Sequence, residues 1–210
     1  MSPGAFLPAL ESGSLAGIVG DWVLETACSQ IAAWRKQESR PLRVGVNLFS
    51  AQFRVNNFDE RIAELIERHG LSPEALELEI TENIVLNQDE LILKPLQKLR
   101  AIGVGIAFDD FGTGYASLSL LKDYPLTRLK IDQSFIRNMC ASSRDEATVA
   151  ASIGLGRNYD LEVIAEGVET RAQFDKLVGL NCDEVQGYLF GKPMPATEFA
   201  EVLRGSFVQP

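Results

Sequence analysis

Asn47, Glu79, Asp109, Asp110, Lys130 and Glu166 are the residues whose types and spacing could do chemistry together. Each falls at the end of a short apolar or β-branched run, or just beyond it. Asn47 closes the first run. Glu79 and Glu82 close the second. Asp109 and Asp110 follow Phe108 in Phe108-Asp109-Asp110-Phe111-Gly112-Thr113-Gly114. Lys130 and Asp132 close the fourth, Glu166 and Glu169 follow the fifth, and Gln186 lies in the sixth before Gly187. Carboxylate and amide oxygens are the ligands that hard divalent cations take. Adjacent aspartates are placed to bridge two ions, the alternative being that only one of them faces in. Paired ions about 3.5–4 Å apart stabilise the attacking and leaving oxygens of phosphate ester hydrolysis. Lys130 could position the attacking water or stabilise charge at phosphorus. It could act as a base only with a strongly lowered pKa.

Each residue alone has an ordinary explanation. Asn and Glu at strand ends cap helices or sit in solvated loops. Asp109 and Asp110 could cap the next helix. Lys130 could pair with Asp132, and Glu169-Thr170 could start a helix. The ordinary explanation weakens for the set, because successive strand ends all present polar ligand-type residues.

The elements that must position these residues alternate. Strand-like runs are Arg43–Leu48, Leu76–Thr81, Val104–Phe108, Leu126–Ile131, Glu162–Ala165 and Glu184–Leu189. Helical patterns span Leu15–Trp34, Phe58–Arg68, Leu91–Ile102, 117–122, Arg144–Asn158, Arg171–Val178 and Thr197–Leu203, with the chain before Leu15 read as a loop. Strands separated by helices predict a parallel α/β sheet with crossovers. No Pro/Gly/Ser-rich linker interrupts them, so residues 1–210 read as one domain. A closed (β/α) barrel typically takes about 250 residues. The expected architecture is therefore a TIM-like barrel short of its first two strands, with an open doubly wound sheet as the alternative. In a barrel the strand ends named above meet at one face.

Composition narrows the classes. The 46% apolar content suffices for a core. No run approaches the roughly 18 apolar residues of a membrane span, and no secretory signal pattern opens the chain. Cys28, Cys140 and Cys182 are odd in number and widely spaced, which predicts reduced thiols, small core residues and a cytoplasmic setting. With His69 the single histidine, and read as solvated, a His/Cys zinc site is not expected. The net charge of −9 argues against duplex nucleic acid. It does not exclude a phosphate substrate, because bound cations invert the local field.

The motifs resemble those of the EAL-domain family of cyclic di-GMP phosphodiesterases. The matching segments run in order: Val46-Asn47-Leu48-Phe49-Ser50, Leu78-Glu79-Ile80-Thr81-Glu82-Asn83, Phe108 to Tyr115, Leu129-Lys130-Ile131-Asp132-Gln133-Ser134-Phe135-Ile136, Val163 to Thr170, and Gln186 to Pro193. The resemblance implies a barrel of that type hydrolysing cyclic di-GMP to linear pGpG with Mg²⁺ or Mn²⁺, two ions in number. Asn47, Glu79, Asp109 and Glu166 would be metal ligands, with Asp110 at the second ion. Lys130 would hold or activate the water. Glu82 would organise the loop after Asp110, and Glu169 would stand near the second ion. Asp110, Gln186 and Gly187 would meet the substrate. The resemblance also implies a homodimer and a longer parent protein with sensory or GGDEF-type domains.

The family's own Glu-Ala-Leu tripeptide stands on an early strand. Glu74-Ala75-Leu76 is not that motif, because it lies downstream of Asn47 and just ahead of Glu77-Leu78-Glu79. Ser2 to Pro8 resembles the segment that normally follows the tripeptide. By this comparison two strands, one metal ligand and one substrate arginine fall outside residues 1–210, which predicts weak or no hydrolysis by the isolated chain. The alternatives are a cyclic di-GMP receptor that binds without cutting and a protein-interaction module.

Overall fold

A computed structural model of the chain describes residues 3–37, 41–55, 57–85, 90–112 and 118–205. Thr113, Gly114 and Tyr115 of the third motif, and Ser2 of the opening segment, lie outside the described residues. The chain divides between Ile106 and Ala107 into two compact units.

The first unit holds α1 (Pro3–Glu11), α2 (Ala16–Arg35), β1 (Val44–Asn47), α3 (Ser50–Phe53), α4 (Phe58–Arg68), a one-turn 3-10 helix at Pro73–Ala75, β2 (Leu76–Thr81), α5 (Glu82–Val85), α6 (Glu90–Ile102) and the start of β3 (Gly105–Phe111). The second holds the rest of β3, then α7 (Leu118–Asp123), β4 (Arg128–Ile131), α8 (Gln133–Asn138), α9 (Ser143–Asn158), β5 (Glu162–Glu166), α10 (Arg171–Gly179), β6 (Glu184–Gln186) and α11 (Ala196–Arg204). The expected loop before Leu15 is instead α1. Pro3 is tolerated in its first turn, where no intrahelical N–H is needed. Short helices α3, α5 and α8 were not signalled by periodicity, since a turn or two gives too few repeats.

Sheet order follows chain order, β1 to β6. The recorded pairs β1–β2, β3–β4, β4–β5 and β5–β6 are parallel. This order has no reversal point, which removes the doubly wound alternative.

Period-two alternation divides each strand between two faces. In β2, Leu76, Leu78 and Ile80 are fully buried on one face, while Glu77 and Glu79 share the other. Val46 of β1 is also buried, and α2 packs on β1 and on α4. Leu24, Cys28 and Ile31 of α2 and Ile62, Leu65 and Ile66 of α4 supply the apolar stripes of this core. In the second unit, α9 packs on β4 and β5 and α8 on β5. Leu129, Ile131, Val163 and Ala165 alternate with Arg128, Lys130, Glu162 and Glu166. The polar face of each unit is therefore fixed by register and carries the candidate residues.

Arg128 closes the amino-terminal side of that face. It is 4% exposed and donates to both oxygens of Glu184, each at 2.8 Å, and to Glu162 at 2.5 Å. One guanidinium thus joins β4, β5 and β6, a use of its planar fork that a lysine could not reproduce.

The three cysteines are free, and only Cys28 is a fully buried core residue. Cys140 is exposed and Cys182 half-buried, because one lies in the turn after α8 and the other in the turn before β6. His69 is not a solvated residue. Its side chain is 19% exposed and its Nε2 lies 2.7 Å from Glu25 on α2. The end of α4 packs against α2, and that contact covers the ring.

Candidate active site

In the second unit three candidate residues converge. Lys130 Nζ lies 3.0 Å from Asp109 Oδ1 and 2.9 Å from Glu166 Oε1. Lys130 and Asp109 are buried, and Glu166 is partly so. Attraction between charges held out of water is stronger than at the surface but is offset by their desolvation, and stranding either sign there is costly. Lys130 does not pair with Asp132. The Asp132 carboxylate accepts from Ser134 N at 2.9 Å and caps α8.

Asp109 and Asp110 diverge because β3 carries a bulge. Phe108 pairs with Leu129 and Phe111 with Ile131, so one extra residue is accommodated between them. Asp109 is buried, whereas Asp110 is exposed with φ 56°. The Asp110 N–H donates to Asp109 Oδ1 at 3.0 Å. This turns the Asp109 carboxylate back over the bulge and leaves its reach to Lys130.

Glu166 ends β5 directly beside Gln186 of β6. Past Glu166 the chain turns at Gly167, φ 73°, where an added Cβ would lie 2.5 Å from Gln133 Cβ. Glu169 is exposed and precedes Thr170, the N-cap of α10. Thr170 and Gln173 form a capping box, and Gln173 Oε1 also accepts from Glu169 N at 2.8 Å. The helix-start reading of Glu169-Thr170 therefore holds through the backbone N–H of Glu169, and the residue itself is exposed. Gly187 sits against the backbone of Val168, where a Cβ would meet atoms at 2.2 and 2.3 Å. Val168 N donates to Gln186 O and Leu189 N to Val168 O, both at 3.0 Å. A glycine is required here by backbone packing, whatever else the site does.

In the first unit, Asn47 and Glu79 are partners in register at the ends of β1 and β2, so they stand side by side on one face. Glu82 opens α5 three residues later and is partly buried. Gly45 is a residue that the sequence did not bring forward. A Cβ there would lie 2.2 Å from Glu79 Oε1, so the glycine leaves the space the carboxylate occupies. An isolated glycine inside a strand is the signal that could have found it. Glu74-Ala75 forms the 3-10 turn leading into the amino-terminal end of β2, with Glu74 beside Gly103 just before β3, away from the carboxyl ends of the strands.

Among the described residues, no three His, Cys, Asp or Glu side chains gather closely enough to hold a metal ion by themselves. The second unit nonetheless presents two carboxylates converging on one cationic atom. That donor set is all oxygen and anionic, which fits a hard divalent cation completed by water and excludes a soft-metal site.

A parallel strand–helix repeat with acidic strand ends around a buried lysine defines a (β/α) barrel protein with a carboxylate site at its strand ends. The EAL domain family matches residues 1–193, and the chain belongs to it. It is 42% identical over 198 residues to the bifunctional diguanylate cyclase/cyclic di-GMP phosphodiesterase MucR of Pseudomonas aeruginosa, covering 94% of this chain and 29% of that one. The solved cyclic di-GMP complex of the PaMucR phosphodiesterase superposes with a TM-score of 0.88 at 42% identity, covering 95% of this chain and 81% of that one. A manganese and cyclic di-GMP complex of Klebsiella pneumoniae BlrP1 superposes with a TM-score of 0.73 at 27% identity, covering 83% and 45%. The chain thus spans less than a third of the MucR relative. No helix among the described residues is long and apolar enough to cross a membrane.

Proposed function

We propose that this chain is a cyclic di-GMP phosphodiesterase domain that hydrolyses one phosphodiester bond to give linear pGpG. The observation that carries the reading is the buried cluster of Asp109, Lys130 and Glu166, set at strand ends in a chain of the EAL family. Its relative MucR and its structural neighbour PaMucR are phosphodiesterases by name, and both support the substrate class.

In this reading Asn47, Glu79, Asp109 and Glu166 hold divalent cations, Mg²⁺ or Mn²⁺ and two in number, with Asp110 at the second ion. Such ions lower the pKa of bound water and neutralise charge on a phosphoryl oxygen. The chain's own groups do the rest. Lys130 holds the water by donating an N–H to its oxygen and keeps positive charge beside the phosphate. Glu82 and Glu169 are further catalytic groups: Glu82 orders the segment after Asp110, and Glu169 stands by the second ion. Asp110, Gln186 and Gly187 line the substrate. The reading extends to a cytoplasmic homodimer joined to sensory or GGDEF-type domains; the name of the bifunctional relative MucR supports only the pairing of a diguanylate cyclase with a phosphodiesterase in one protein.

The test is hydrolysis of cyclic di-GMP with Mg²⁺, Mn²⁺ and Ca²⁺, by the 210-residue chain and by a version extended with the upstream strands of the family. Metal-dependent release of pGpG, lost in Glu166→Ala, supports the reading. Cyclic di-GMP binding without turnover in the extended protein would replace it with a receptor, and no binding at all with an interaction module.

A further inference from the structure

Lys130 is placed for more than holding a water. Lys130 is 5% exposed, and its ammonium lies about equally close to two carboxylate oxygens from two other strands. It stands where a divalent cation shared by Asp109 and Glu166 would compete for the same oxygens. We infer that Lys130 is the resident counter-ion of this carboxylate pair, a positioning residue that keeps Asp109 and Glu166 converged without metal and opposes metal binding until the ammonium moves aside. The inference rests on the proposal that Asp109 and Glu166 are metal ligands.

The argument is one of charge and place. Asp109, Lys130 and Glu166 together carry a single net negative charge. Without the ammonium the same pocket would carry two, at a position that is largely out of water. Like charges drawn together there repel strongly, because little solvent screens them. The carboxylates would splay and their preset geometry would be lost. The same ammonium sits within ion-pair distance of both ligands, so an arriving cation meets a positive charge and must take over at least one of its contacts. Removing the charge thus has opposite effects on two measurable quantities. The metal-free fold loses its counter-ion, and the metal gains affinity. A residue that served only to fill space would move the first quantity and not the second.

The experiment compares the full chain with Lys130→Met and Lys130→Arg, using Mn²⁺ alone as the titrant in calorimetry and thermal melting in chelator and in Mn²⁺. Lys130→Met should melt below wild type in chelator, recover with Mn²⁺, and bind Mn²⁺ on the order of tenfold more tightly. Lys130→Arg, which keeps the charge, should stay near wild type in Mn²⁺ affinity. Unchanged or weaker Mn²⁺ binding by a folded Lys130→Met overturns the inference. Asp109→Asn and Glu166→Gln test the underlying proposal separately: if they bind Mn²⁺ as wild type does, these carboxylates are not ligands. A second measurement needs no destabilising variant. In wild-type protein labelled with ¹⁵N-lysine and assigned through Lys130→Arg, the Lys130 ammonium signal should shift or vanish as Mg²⁺ saturates the chain. A Lys130 signal unmoved by saturating Mg²⁺ overturns the inference.

Discussion

Asp110 donates its backbone N–H to the carboxylate of Asp109 at 3.0 Å, across a bulge that buries one aspartate and exposes the other. The two residues are adjacent in sequence and share a charge, but not a role. Asp109 reaches Lys130, while Asp110 takes a left-handed backbone with φ 56°.

That backbone can be separated from the charge. Asp110→Asn should keep the fold within about 0.5 kcal/mol, since Asn tolerates the left-handed region. Asp110→Ala should cost about 1 kcal/mol more, because alanine does not. Urea denaturation of the two variants measures the difference. If Asp110 serves the second ion, both should bind Mn²⁺ more weakly in calorimetry, Asp110→Asn included.

Gly45 yields the next expectation. A methyl there would lie 2.2 Å from Glu79 Oε1, too close for both to stay in place. The carboxylate can swing away, so Gly45→Ala should leave the melting temperature nearly unchanged or raise it slightly, because a strand glycine is entropically unfavourable. Mn²⁺ affinity should fall about tenfold, the equivalent of roughly 1.4 kcal/mol. A Gly45→Ala chain with wild-type Mn²⁺ affinity would remove Glu79 from the ligand set.

Arg128 offers a stability measurement away from the candidate site. Its contacts to Glu162 and Glu184 join β4, β5 and β6. Arg128→Ala should destabilise the chain by about 2 kcal/mol, since it removes a buried guanidinium and leaves two carboxylates together whose charge solvent partly screens. Glu184→Gln should cost only about 1 kcal/mol. Glu184 is 45% exposed, so solvent screens its charge, and Glu162 still pairs with Arg128. Chemical denaturation midpoints should rank the two variants in that order.

Cys28 sets an expectation for pH. Burial in α2 raises its thiol from the ordinary value of 9.0 to about 11. The folded state holds this proton more tightly than the unfolded chain does. Its contribution to stability is therefore complete below pH 9 and declines as pH rises from about 9 to about 11. Cys28→Ala should flatten that decline in melting temperature. At pH 8, iodoacetamide should label exposed Cys140 well before Cys28 or Cys182, whose thiol burial also raises to about 11. Peptide mass mapping reads the order.

Much of the fold could be read directly. Phe58–Arg68 and Leu76–Thr81 were bounded correctly because one repeats its apolar residues at helical spacing and the other alternates them. Pro3, Gly4 and Pro8 hid α1, since Pro3 and Gly4 at its start and Pro8 inside it all argue against a helix. The strand ending at Phe108 runs on to Phe111, because a bulge extends pairing past polar residues that usually end it.

The sequence by itself determined the residue types of the site, their order along the chain and the strand or helix that carries each. It did so because alternation and 3.6-residue periodicity are local, and because oxygen ligands at strand ends form a pattern in one dimension. Only the tertiary structure decided that Lys130 belongs to Asp109 and Glu166 and not to Asp132, that Asp109 turns inward while Asp110 does not, and that Gly45 and Gly187 are spaces other residues need. Those outcomes depend on strand register, on one bulge and on the approach of backbones distant in sequence. None of these is encoded in the spacing of neighbouring residues.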